Sequence, residues 1–324
     1  MKRLLVLTVA ASLLATAAWA QAVPVIFDTD MGNDVDDALA LAMLHALESR
    51  GECRLLGVTV TKDNPWAPVY VDLVNTFYGR ARIPVGMVKG GVTPEASPII
   101  QGPAERRRAG GTLVYPRRLA SGAEAPEAVA LLRRLLADEK DSSVVIVQVG
   151  FSTNLARLLD SPADVDLVKR KVKLLSVMAG NFVEQKPEFN VQQDTASARK
   201  LFDQWPGEIV ASGYEIGDAM KFPAARIEKD FAWALDHPVV DAYRAYMKMP
   251  YDRQTWDLTA VLYAVRPAGG YFDISVRGRI TADDAGRTSF RPIAAGKHRH
   301  LVLTEAQHAR TLECMIGLAS QPAR

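Results

Sequence analysis

Five aspartates crowd into ten residues near the start of the chain: Asp28, Asp30, Asp34, Asp36 and Asp37. They follow an apolar run over residues 23–27 and lead into a stretch with helical periodicity over residues 36–49. Carboxylates this close raise one another's pKa, so keeping them ionised near neutrality requires a cation or strong hydrogen-bond donors. Part of that help is local, because Asp36 and Asp37 open the helix, where unpaired backbone N–H groups and the positive dipole end favour anions. A hard divalent ion answers the rest, and calcium, with roughly six to eight oxygen ligands in a flexible shell, fits these side chains best.

Other metals and motifs fit less well. The histidines, His45, His237, His298, His300 and His308, lack zinc-site spacing apart from the weak His298-Arg299-His300 pair. An EF-hand counted from Asp28 would want Gly at its sixth position and Glu at its twelfth, where this chain has Asn33 and Leu39. Simple helix capping needs only one or two carboxylates. The buried character of the strand before the cluster aims the whole turn at the carboxyl edge of a sheet, where open α/β sheets collect ligands.

The elements that must position such a turn can be read along the chain. Strands are expected over residues 23–27, 55–60, 85–88, 144–149, 172–178 and 208–211, alternating with helices over 36–49, 68–78, 126–139, 195–204, 239–247, 257–265 and 304–318. This alternation predicts an α/β fold with an open, mainly parallel sheet flanked by helices, Rossmann-like in its core, in one domain over residues 21–324. Residues 89–125, rich in Gly, Pro and Arg, and residues 222–252, with helices but no strand, are too long for simple connections. At the carboxyl edge they would serve as walls or lids of a pocket, or else as plain surface decoration.

At this point the residues resemble those of the nucleoside hydrolase family, in its inosine/uridine-preferring form. The family signature is an Asp-x-Asp turn, a Gly, then Asp-Asp-Ala entering the first helix; here it reads Asp28-Thr29-Asp30-Met31-Gly32 and Asp36-Asp37-Ala38. The resemblance implies that Asp30 and Asp37 hold calcium and that Asp36 is the general base, although two extra residues in the signature leave Asp34 open for that role. Further matches follow in order. Lys62-Asp63-Asn64 implies ribose binding by Asn64. The turn Gly150-Phe151-Ser152-Thr153-Asn154 implies a Thr153 main-chain carbonyl on the metal. Met178-Ala179-Gly180-Asn181 and Glu188-Phe189-Asn190 imply sugar contacts from Asn181, Glu188, Phe189 and Asn190, and Trp256-Asp257 implies that Asp257 completes the calcium shell beside a substrate-binding Trp256. Many members carry a His where Trp256 stands, and an indole cannot donate a proton near neutral pH.

The resemblance spans roughly residues 23–265 and implies calcium-dependent cleavage of the N-glycosidic bond of ribonucleosides, in purine and pyrimidine salvage. Two other readings attach to the same residues: an exported riboside-binding protein without turnover, and a phosphatase of the haloacid dehalogenase type, whose nucleophile and acid Asp28 and Asp30 resemble. Gly32 and the Asp36-Asp37-Ala38 and Trp256-Asp257 motifs argue against the latter.

Bulk composition narrows the partners. Lys2 and Arg3, an apolar run and Ala18-Trp19-Ala20 read as a secretory signal peptide over residues 1–20, which predicts an exported, periplasmic protein with no membrane association after cleavage. Without Lys2 and Arg3 the chain has 37 basic and 37 acidic residues, so it carries no nucleic-acid footprint. A small-molecule nucleoside is the expected partner. Nucleoside hydrolases are often dimers or tetramers, so a homo-oligomer is also implied, though no interface is legible. Two cysteines far apart, Cys53 and Cys314, leave both a disulfide and free thiols open.

Overall fold

β1 (Val23–Thr29) is buried from Pro24 onwards and has parallel neighbours on both sides, β2 (Cys53–Lys62) and β4 (Val144–Gln148). The computed structural model in which this is seen describes residues 22–322, so the signal peptide expected over residues 1–20 lies outside the described residues. The remaining strands are β3 (Val85–Val92), β5 (Val172–Met178), β6 (Ile209–Ser212), β7 (Lys221–Phe222), β8 (Arg253–Gln254), β9 (Asp273–Ile274), β10 (Gly278–Ala282), β11 (Thr288–Pro292) and β12 (His298–Val302). They form a ten-stranded sheet in the order β11-β10-β12-β6-β5-β4-β1-β2-β3, with β9 on β12, and a separate β7-β8 ribbon. From β3 to β6 and on to β12 every pairing is parallel, as the alternation of elements predicts, and β10 and β11 add an antiparallel edge.

The strand order reverses at β1. From it the chain builds outward through β2 and β3, then returns to place β4, β5 and β6 on the other side. A crevice therefore opens between the carboxyl ends of β1 and β4, where open α/β sheets bind ligands.

The helices are α1 (Asp36–Ser49), α2 (Trp66–Phe77), α3 (Pro98–Glu105), α4 (Ala128–Ala137), α5 (Thr153–Leu158), α6 (Pro162–Lys171), α7 (Phe189–Gln193), α8 (Thr195–Gln204), α9 (Tyr214–Asp218), α10 (Ala224–Asp230), α11 (Pro238–Tyr246), α12 (Trp256–Val265) and α13 (Glu305–Ala319). One core layer joins the sheet to α1, α2, α11, α12 and α13, and a second joins its other face to α4, α5, α6 and α8. α1 is buried at every position from Asp36 to Leu47, because α12 and α13 cover it as well as the sheet. Its sequence, Ala-, Leu- and Met-rich on all sides, matches a helix with no solvent face.

The two long excursions are less featureless than the sequence suggests. Within residues 89–125, β3 runs on to Val92 and α3 follows. The excursion over residues 222–252 holds α10 and α11 and is closed at its base by a ladder, Lys221 opposite Gln254 and Phe222 opposite Arg253. α11 packs on α3, and the Tyr115 hydroxyl donates to Asp241 Oδ2 at 2.6 Å, so the two excursions support each other. Cys53 and Cys314 are free thiols.

Candidate active site

The turn after β1 is assembled from its own side chains. Thr29 Oγ1 accepts from Met31 N–H and donates to Asp37, which fixes that carboxylate at the start of α1. Asn33 Nδ2 donates to Asp30 Oδ2 at 2.9 Å, and Gly32 takes a positive φ of 106° that favours glycine. Asp28 is different from its neighbours. It lies beneath the turn, fully buried, where its carboxylate accepts from Thr59 Oγ1 at 2.6 Å and Asn154 Nδ2 at 2.8 Å. Burial pushes its pKa up to about 7. Asp28 and Asn154 therefore tie α5 to β1 rather than face a substrate.

Above the turn lies a cavity of about 320 Å³. Its floor is carboxylate: Asp30, Asp34, Asp36 and Asp37 from the turn, and Asp257 from the start of α12. Oxygens of Asp36, Asp37 and Asp257 lie within 4.8 Å of one another, and all three residues are buried. Asp36 Oδ2 accepts from the Asp257 backbone N–H at 3.1 Å, and Asp257 Oδ2 is buried with no hydrogen-bond partner. Burial first, and then mutual repulsion, pushes Asp36, Asp37 and Asp257 well above the ordinary carboxylate range, while burial sets Asp30 at about 6. Asp34 stands apart in being paired: both of its oxygens accept from Arg253, with Nε at 2.9 Å.

The walls come from strand ends across the switch point. Val149, just beyond β4, presents a carbonyl that accepts from Asn190 Nδ2 at 2.7 Å, and the same amide donates to the Met178 carbonyl at 3.1 Å. Glu188 caps α7, accepting from the N–H groups of Asn190 and Val191 and from Gly180 N–H. Burial still pushes its pKa to about 7. Phe189, Tyr214, Tyr246, Arg253 and Trp256 form the outer rim, where Phe189 is half exposed.

Of the residues expected from sequence, Asp30, Asp34, Asp36, Asp37, Glu188, Phe189, Asn190, Trp256 and Asp257 all line this cavity. Three do not. Thr153 begins α5 and its hydroxyl donates to Asp194 at 2.6 Å; the residue of this turn that lines the cavity is Val149, just past the end of β4. Asn64 braces a neighbouring loop, its Nδ2 donating to the Pro94 and Glu95 carbonyls and its Oδ1 accepting from Trp66 N–H. Asn181 closes its own turn by accepting from Glu184 N–H at 2.8 Å. Sequence reasoning assigned no role to Asn33, Val149, Met178, Tyr214, Tyr246 and Arg253; of these Asn33 lies inside the aspartate run and Met178 opens a recognised motif, and the other four carried no signal of their own.

An all-oxygen, buried donor set with one orphaned carboxylate oxygen fits a hard divalent cation. It gives no support to zinc, since among the described residues no Cys or His lines the cavity.

The profile of a family described as "Inosine-uridine preferring nucleoside hydrolase" matches residues 25–313. No curated protein matches the chain at a significant level. Among solved structures, a purine-preferring ribonucleoside hydrolase from Gardnerella vaginalis is similar at a TM-score of 0.71 and 18% identity, over 92% of this chain and 98% of the other. The plant nucleoside hydrolase PpNRh1 gives 0.70 and 19%, over 93% and 99%. An inosine-uridine preferring nucleoside hydrolase from Bacillus anthracis gives 0.68 and 18%, over 92% and 99%. At these identities the structural likenesses speak for the fold.

Proposed function

The chain belongs to the inosine-uridine preferring nucleoside hydrolase family, and from that membership we propose that it releases ribose from ribonucleosides with calcium as its cofactor. Hydrolysis of an N-glycosyl bond is the family's chemistry. The observation that carries the finer reading is the convergence of Asp257 on Asp36 and Asp37 with one buried oxygen left without a partner.

Asp30, Asp37, Asp257 and the Val149 carbonyl would hold the ion. When bound, calcium would supply the positive charge that keeps these carboxylates ionised and a Lewis-acidic centre for the sugar hydroxyls and a water. Asp36 takes a proton from that water as its oxygen attacks C1′. Asp34 is less suited to this role, because Arg253 occupies both of its oxygens. Glu188 and Asn190 grip the sugar: two N–H bonds commit the Asn190 amide nitrogen and leave its oxygen for a hydroxyl. Carboxylates around C1′ stabilise the oxocarbenium character that develops there. Trp256 offers a ring face to the base, since its Nε1 is committed to the Tyr214 carbonyl at 3.0 Å.

The leader-like pattern of residues 1–20, read as a signal peptide, supports placing this activity in the periplasm. The phosphatase alternative needs Asp28 as a nucleophile, and Asp28 is buried beneath the cavity. Incubation with inosine, uridine, adenosine and cytidine tests the proposal. Ribose release should disappear in a chelator and return with added calcium. Binding without turnover would instead establish a riboside-binding protein, and phosphate release from a generic phosphoester would establish the phosphatase.

A further inference from the structure

Cleavage of the C1′–N bond sends its electron pair onto the base, so the base end of the cavity must meet negative charge with a proton or a cation. No His lines this cavity, and Arg253 is the one cationic side chain in its wall among the described residues. The Trp256 indole N–H is committed to Tyr214, and the Tyr246 hydroxyl donates towards Asp34 at 3.5 Å.

Arg253 is held with care. Its backbone is fixed in β8, its guanidinium is paired with Asp34, and its Cζ lies 5.0 Å from the Tyr246 ring centre and 5.1 Å from that of Trp256. Two N–H groups go to Asp34 and one to Gln254 Oε1 at 3.3 Å, so of the five that a guanidinium carries, two remain. A guanidinium does not give up a proton near neutral pH, but it stabilises an anion by charge and by hydrogen bonds.

We infer that Arg253 stabilises the departing base as an anion, in place of a proton donor. The C1′–N bond breaks with its electrons on the base nitrogen, the water oxygen bonds to C1′, one water proton passes to Asp36, and the released base takes a proton from solvent. Asp34 then acts as a positioning residue, holding the guanidinium edge towards the base. The inference rests on the hydrolase reading of this cavity.

The test compares inosine and uridine with para-nitrophenyl riboside, whose leaving group departs as a stable anion without help. In Arg253→Gln, the ratio of kcat/KM on nucleosides to kcat/KM on the aryl riboside should fall about 100-fold. Arg253→Lys should recover part of that ratio. The Asp34→Asn/Arg253→Gln double variant, which leaves no unpaired carboxylate, should show the same fall. Equal losses on both substrate classes in all three variants would overturn the inference while leaving the hydrolase reading intact. Absence of turnover of either class by the unaltered protein would defeat that reading and the inference with it.

Discussion

Asp36 and Asp257 share one hydrogen bond, and in the proposed reaction they divide two tasks. The Asp257 backbone N–H anchors Asp36 Oδ2, which leaves Asp36 Oδ1 as the oxygen free to take a proton, while Asp257 Oδ2 has no protein partner and is the more natural ion ligand. Substituting the two should therefore separate catalysis from metal binding. Asp36→Asn is expected to lower kcat about a thousandfold or more while calcium affinity, read by isothermal titration, stays close to its original value. Asp257→Asn should weaken calcium binding and lose activity that higher calcium partly restores. Equal loss of affinity in both variants would mean that Asp36 is itself a ligand, and the division of labour would fail.

At the level of elements, the site depends on how closely the chain turns after β1 and β4 approach each other. Gly150 sits at that contact: a Cβ there would intrude on Asp30 N and Thr61 Oγ1 and lie 2.7 Å from the Thr29 carbonyl carbon. Backbone atoms in a central strand cannot yield as a flexible side chain can, so Gly150→Ala should cost about 2–3 kcal/mol in urea unfolding and weaken calcium binding by displacing Asp30. Gly110→Ala, where nothing lies within 4 Å, is the control and should change neither. The same turns explain what was legible in the sequence. Six buried strands and the aspartate run are local patterns, and each appears within a residue or a few of its expected place. Which residue of this turn meets the cavity was not legible, because Val149 and Thr153 differ only in that one lies just past the strand end and the other begins the helix. Arg253 and Tyr246 were not legible either. They reach the cavity through an excursion whose return path is set by the β7-β8 ladder and by α11 on α3, contacts between residues far apart in sequence. The antiparallel edge escaped for a related reason: β10 and β11 are only half buried and carry Arg279, Arg291 and Pro292, so they lack the continuous apolar runs of the inner strands.

On the scale of the whole molecule, burying so many carboxylates at the sheet edge couples folding to protons and, with the proposed cofactor, to calcium. Burial pushes Asp28 and Glu188 to about 7 and Asp30 to about 6, and holds Asp36, Asp37 and Asp257 well above the ordinary range. In the unfolded chain the same groups lose their protons near pH 4. Between about pH 4 and 7 the folded, metal-free protein thus holds more protons than the unfolded one. Each raised group leaves stability intact below its unfolded pKa and removes it as pH climbs, by about 1.4 kcal/mol per pH unit until the folded pKa is passed. The Tm in a chelator should therefore fall as pH is raised from 5 to about 7. A bound cation favours the ionised carboxylates, so calcium uptake expels protons and its affinity rises with pH. At a calcium concentration about a hundred times Kd the gain is about 2.7 kcal/mol, and it should grow across the window in which the metal-free protein weakens. Differential scanning calorimetry at pH 5, 6, 7 and 8, with chelator and with calcium, reads both effects at once. A gap between the two Tm curves that widens with pH fits carboxylates that exchange protons for an ion, whereas a constant gap would mean that these groups are already ionised without it.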